Sequence, residues 1–235
     1  MRLPSTRIAR ILITAATIAA LGLTIGRRPG HAGNDNNGAQ DEQRMVQTGL
    51  SVAANSGITL NMEGKDPALV GLGSYIVNVT SDCNLCHSPV FIGTSFAEPS
   101  GNPYLRAPFF GGLKKTDPQY YLGGNQNFGP PVAGAANIIS RNLTPDKSGM
   151  PEGHTLADFI LIMRTGVDLD LMHPDCTGDT TASCLPVPYN GNLLQVMPWP
   201  FFQDMTDRQL TAIYTYLSAI PCLEGGPGEP PQRCK

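Results

Sequence analysis

Positively charged side chains are scarce in most of this chain. Residues 1–32 hold five of the 16 lysines and arginines and no acidic residue, so the remainder carries 11 basic against 19 acidic side chains, a formal charge of −8. This balance disfavours a nucleic-acid partner, because binding to the phosphate backbone depends on Lys and Arg. Two interpretations stay open: an acidic surface that aids solubility, or one that is steered toward a basic patch on a partner protein.

Long apolar runs are also scarce. Residues 11–25 form an apolar run that is shorter than the ~20 residues of a membrane-spanning helix. Three arginines precede it and small residues around position 32 follow it, which is the pattern of a secretory signal. We expect residues 1–32 to be a signal peptide that directs export. An uncleaved signal that anchors the protein to a membrane is the alternative.

The chain contains no internal repeat and no βαβ pattern, and 47 of its 235 residues are glycine or proline. Such a composition limits regular structure. Residues 33–65 are polar with little periodicity, and we expect a flexible N-terminal segment there. The length after residue 32 suits one domain, which we place at residues 66–221, followed by a tail at residues 222–235.

The first predicted helix begins at Asp66-Pro67, an N-cap residue followed by proline at the first helical position, and its apolar face runs toward Cys83. A second begins at Thr155 and ends at Gly166. A third begins at Thr206, where a glutamine three residues later completes a capping box. These signals predict an all-α fold with long Gly/Pro-rich loops.

Residues 83–87 read Cys-Asn-Leu-Cys-His. CxxCH is the attachment signature of c-type haem: the thiols of Cys83 and Cys86 bond to the haem vinyl groups, and His87 is placed to ligate the iron. A redox dithiol or half of a zinc site are the alternatives for CxxC. Neither is favoured, because the other cysteines form no second CxxC and no βαβ unit surrounds the motif. We therefore expect one covalently attached haem c.

Four cysteines remain, and in an oxidising compartment an even number is typical of disulfides. Three connectivities are possible. We favour Cys176 with Cys184 and Cys222 with Cys234, because each bond would pin a loop or tail that lacks other support. A catalytic thiol pair is the alternative.

These features resemble the monohaem c-type cytochromes of bacterial periplasmic electron transfer, most closely the cytochrome subunits that accompany dehydrogenases. The resemblance spans residues 66–221 and implies a cytochrome c-like helical fold, in which the first and last helices cross through Gly73 or Tyr75 against Tyr214 and Leu217. Residues 88–153 and 167–196 depart from the smaller members of this family. The similar segments are residues 73–77, 83–89, 121–124, 141–146, 163–166, 197–200, 205–207 and 212–217.

The sixth iron ligand is predicted to be Met197, which lies in the proline-stiffened loop Met-Pro-Trp-Pro. The resemblance implies the same distal role for this methionine. Met163 and Met205 have plainer explanations as packing residues. The other candidates lie in or near loops and stay open: Met150, Met172, His154 and His173.

Other residues are expected around the haem. His87 should donate its second ring proton to a carbonyl, often from a proline-containing loop, and the possible sources are Pro89, Pro99, Pro103 and Pro108. Propionates would have several possible hydrogen-bond donors: Trp199, Tyr104, Arg106, Arg141 and Arg164.

The sequence thus predicts a periplasmic one-electron carrier, or the cytochrome subunit of a dehydrogenase, that performs no chemistry on a bound substrate. Its partner would be a redox protein such as a dehydrogenase subunit or a terminal oxidase. The rival prediction is a haem enzyme or gas-binding sensor with an open or labile sixth position. A third interpretation is a subunit whose long loops serve mainly in docking.

Overall fold

The structure, a computed structural model, describes residues 35–88, 118–225 and 232–235. Within these ranges the regular secondary structure is helical, with isolated bridges but no β-strand, and long irregular segments join the helices; this is compatible with the all-α prediction. None of the helices described has the length and apolar character needed to cross a bilayer. The α-helices are α1 Asp35–Asn55, α2 Pro67–Tyr75, α3 Asn84–His87, α4 Leu156–Thr165 and α5 Asp207–Leu217; a π-helix Ile76–Thr80 and a 3-10 helix Trp199–Phe201 complete the set.

The expectation of a flexible segment at residues 33–65 is wrong for residues 35–55, which form the 21-residue helix α1. Its residue Val46 is buried and contacts α2 near Gly71. Gly49 approaches the same turn so closely that a Cβ built on it would lie 1.9 Å from the Gly71 oxygen. Small residues make this contact, so the segment shows little of the large apolar periodicity that predicts a buried helix.

Helix α2 begins as predicted. The Asp66 side chain accepts from the amide of Ala68, and Pro67 occupies the first turn. Gly73 lies against α5, where an added Cβ would be 1.9 Å from the Ala212 oxygen and 2.7 Å from the Cβ of Tyr216. The two helices therefore pack through Gly73 as expected, and the α5 residues nearest to it are Ala212 and Tyr216, whereas Tyr214 and Leu217 were expected.

Helices α4 and α5 start at reciprocal capping boxes, as predicted. Thr155 accepts from the Asp158 amide while the Asp158 carboxylate accepts from Thr155. Thr206 and Gln209 make the same exchange at α5. Gly166 ends α4 in the left-handed region, with φ 69°. Each box satisfies amides that the first helical turn leaves unpaired.

Both predicted disulfides are present, Cys176–Cys184 and Cys222–Cys234. The second bond holds the C-terminal residues against the domain, where buried Arg233 donates to the hydroxyl and the carbonyl of Thr144. The tail beyond residue 221 is therefore tethered, as expected.

Candidate functional site

A mostly apolar pocket lies between the CxxCH segment, helices α4 and α5, and the chain around residues 193–198. Phe159, Ile162 and Met163 of α4 and Ile213 and Leu217 of α5 form much of its lining. A pocket with these properties suits a cofactor of considerable apolar area.

Cys83, Cys86 and His87 all line this pocket. The two thiols are unpaired, whereas the four other cysteines of the chain form disulfides. Burial raises the pKa of Cys83 to about 12 and also raises that of Cys86. A catalytic redox dithiol needs a lowered thiol pKa, so this environment opposes that alternative.

The imidazole of His87 is oriented by one hydrogen bond. Its Nδ1–H donates to the carbonyl of Arg141 over 2.9 Å, which leaves Nε2 as the nitrogen with a lone pair. Burial lowers the pKa of His87, so the ring is neutral. A neutral, oriented imidazole is what a metal ion requires of a histidine ligand. The acceptor is thus Arg141; the four prolines named as possible sources lie outside the described residues.

A buried network of hydrogen bonds joins the CxxCH helix to neighbouring elements. The Tyr121 hydroxyl donates to Asn78 Oδ1 over 2.7 Å and lies 2.6 Å from the Tyr216 hydroxyl. Asn84, the second residue of the motif, donates to the same Asn78 oxygen over 3.0 Å. All four side chains are buried. The motif is therefore fastened both to the π-helix and to α5 by hydrogen bonds that water cannot replace.

Met197 lines the pocket, and its loop is held in place. Its carbonyl accepts from the Trp199 amide over 2.8 Å. The Trp199 ring packs on Gly166, where a Cβ would lie 2.2 to 2.4 Å from three ring atoms. Met197 therefore lines the same pocket as the three residues of the motif.

Three other candidate ligands line the same pocket: Met163, Met172 and His173. Burial lowers the pKa of His173, so its ring too is neutral and able to ligate a metal. Met150, Met205 and His154 are not among the lining residues. The distal role of Met197 stays a prediction, and three of the six other candidate ligands line the pocket with it.

A charged cluster flanks the pocket on the side of Arg141. The Arg141 guanidinium donates to Asp168 and Asp170, and its Nε lies 3.5 Å from Glu152 Oε1. His154 Nε2 lies 3.5 Å from Asp170 Oδ2. Metal-ligating atoms of Glu152, His154 and Asp170 lie within 4.8 Å of one another. The Arg141 guanidinium already supplies a positive charge to the carboxylates of Glu152 and Asp170. We therefore assign Glu152, His154 and Asp170 to an ion-pair network with Arg141.

The residues expected to donate hydrogen bonds to haem propionates differ in their position relative to the pocket. Arg141 lines the pocket, but its guanidinium is engaged by carboxylates. Arg164 donates to the carbonyls of Gln203 and Met205 and to Asp207, and it does not line the pocket. Trp199 is not a lining residue either. Tyr104 and Arg106 lie outside the described residues.

Sequence reasoning missed the cluster around Arg141. Asp168 and Asp170 come from the segment 167–196, whose fold the sequence does not predict, and they lie 27 and 29 positions from Arg141. No spacing pattern marks such a contact.

A comparison of the chain with protein-family models and with curated proteins found no match.

Proposed function

We propose that this protein is a monohaem c-type cytochrome that transfers one electron at a time in the periplasm, as a carrier or as the cytochrome subunit of a dehydrogenase. One observation supports this most: both thiols and the imidazole of the CxxCH motif line one apolar pocket, while every other cysteine is held in a disulfide. Cys83 and Cys86 would form the thioether bonds, and His87 would be the proximal ligand.

The described residues fit such a cofactor. The two cysteines are unpaired and adjacent to the pocket, and the neutral His87 ring has its Nδ1 occupied by Arg141. When bound, haem supplies an iron that cycles between ferric and ferrous states by one electron. The packing of α2 on α5 through Gly73 agrees with the proposed cytochrome c-like fold.

The surroundings of the pocket favour electron transfer over substrate chemistry. The apolar part of the lining would disfavour the additional positive charge of a ferric haem, which would raise the reduction potential. Met197 would add a thioether ligand, which acts in the same direction. The net acidic chain would be steered toward a basic patch on its redox partner.

The rival function is a haem enzyme or gas-binding sensor, which needs an open or easily displaced sixth position. Met163, Met172, His173 and Met197 all line the pocket. Such a supply of thioether and imidazole groups favours a closed coordination shell, and therefore the carrier.

The test compares the haem-loaded protein with Met197→Ala and with Met205→Leu, a control methionine outside the pocket. We expect the ferric wild-type protein and the control to show the absorption band of methionine sulfur on iron. Met197→Ala should retain covalent haem but lose this band, change spin state and have a lower potential. Persistence of the band in Met197→Ala would assign the sixth ligand elsewhere. Rapid reaction of the wild-type protein with cyanide or peroxide would favour the enzyme or sensor.

A further inference from the structure

The charged cluster is connected to the proximal histidine through a single residue. Arg141 accepts the Nδ1–H of His87 at its carbonyl, and its guanidinium binds Asp168 and Asp170. The Oδ2 atom of Asp170 that contacts Arg141 also lies 3.5 Å from His154 Nε2. His154 is thus linked to His87 by an unbroken series of two residues, Asp170 and Arg141.

This series is shielded from solvent over most of its length. The side chains of Arg141 and His154 are 14% and 12% exposed, that of Asp168 is 6% exposed, and only Asp170 reaches 43%. Charges in such surroundings interact more strongly than they would in water, because little solvent screens them. A change of charge at one end of the series is therefore felt at the other.

The charge around His154 favours its protonated form. Three carboxylates, those of Glu152, Asp168 and Asp170, lie around the guanidinium of Arg141. The contact with Asp170 raises the pKa of His154, and the charge of Glu152 adds to this, while burial and Arg141 oppose it.

Two further helices face this histidine. From α4, the Asp158 carboxylate is close enough for its own pKa to be lowered by His154, after the larger effect of Thr155. From α5, the Tyr214 hydroxyl donates to the His154 carbonyl over 3.0 Å. The Nε2 atom of His154 is buried and makes no hydrogen bond to the residues described, and Asp170 Oδ2 lies 3.5 Å from it. A proton bound at Nε2 would therefore lie next to the Asp170 carboxylate.

We propose that His154 is a redox-linked proton site, which binds a proton at Nε2 when the haem site is reduced and releases it on oxidation. This inference rests on the proposed function. On reduction, the electron would come from a donor protein and the proton on His154 from solvent water. On oxidation, the electron would pass to an acceptor protein and the proton would return to solvent. Arg141 acts here as a positioning residue, since it holds both His87 and the carboxylate that faces His154.

The physical reason is electrostatic repulsion. Ferric iron carries one more positive charge than ferrous iron, and that charge disfavours a second one on His154. The pKa of His154 must then be lower in the oxidised protein than in the reduced protein. By linkage, the potential falls as the pH rises between these two pKa values, and it is constant outside them.

The experiment measures the reduction potential of the haem-loaded full protein across the pH range around the histidine pKa, for wild type, His154→Gln and Tyr214→Phe. The potential of the wild-type protein should fall with rising pH, by up to 59 mV per tenfold change in proton concentration for one proton per electron. His154→Gln should show no such fall and should match the high-pH value of the wild type. Tyr214→Phe removes the contact to the His154 backbone but no charge, so it should keep the slope.

A second measurement keeps the inference testable if His154→Gln does not fold. The pKa of His154 in the wild-type protein, followed by NMR, should be lower in the ferric than in the ferrous state. An equal pKa in both states, or a wild-type slope in folded His154→Gln, would overturn the inference while leaving the proposed function intact. A chain whose mass shows no attached haem would overturn the proposed function, and this inference with it.

Discussion

Gly166 offers a direct test of how the Met197 loop is held. It ends α4 with φ 69°, donating its amide to Ile162. A Cβ at this position would lie 2.2 to 2.4 Å from ring atoms of Trp199, two residues beyond Met197. The substitution Gly166→Ala therefore adds two costs: a strained backbone, and overlap with an aromatic ring.

The two costs are separated by a matched control. Gly149 has φ 80° and no atom within 4 Å of its Cβ position, so Gly149→Ala adds only backbone strain. That strain costs about 1–2 kcal/mol. Overpacking adds about 1–3 kcal/mol at Gly166. The loss of unfolded-chain entropy is similar in both variants and cancels in their difference.

Urea unfolding followed by circular dichroism measures both losses. We expect Gly166→Ala to be less stable than Gly149→Ala by about 1–3 kcal/mol. For a chain of this size, each kcal/mol corresponds to roughly 2–4 °C in Tm. In the haem-loaded protein, Gly166→Ala should also disturb the absorption band expected from the proposed Met197 ligand, whereas Gly149→Ala should not. Equal losses of stability in the two variants would refute the contact between Gly166 and Trp199.

Two further predictions concern the support of the site. Tyr216→Phe removes a buried hydroxyl bonded to Tyr121 and Asn78 and should cost about 1–3 kcal/mol in urea unfolding; a value within error of wild type would mean that the network does not stabilise the fold. The double variant Cys222→Ser/Cys234→Ser opens a loop closed over 12 positions and releases Arg233 from Thr144, so it should lose about 2–4 kcal/mol. No loss on thermal unfolding would show that the tail is independent of the domain.

Local signals account for the parts of the fold that the sequence predicted. The capping boxes at Thr155 and Thr206 involve residues three positions apart, and the disulfides join cysteines 8 and 12 positions apart. Helix α1 was missed because its packing at Gly49 depends on small residues that allow close approach. The spacing of large apolar residues, from which a buried helix is predicted, does not reveal a close contact between glycines.

At the site, too, local features follow from the sequence, whereas contacts between distant segments do not. The motif at Cys83, Cys86 and His87 is contiguous, so its grouping follows from the sequence. The partner of His87 is 54 positions away, and the carboxylates that hold Arg141 lie in a segment with little regular structure. Such contacts are set by how irregular loops close on one another, for which the sequence has no periodic signal.

The most direct test of the central claim is the intact mass of the protein, produced in cells with a working cytochrome maturation system. We expect the wild-type chain to be heavier than its polypeptide by one haem, and the Cys83→Ala/Cys86→Ala variant to have the mass of the polypeptide alone. A wild-type chain of unmodified mass, from cells that mature a control cytochrome normally, would contradict the account.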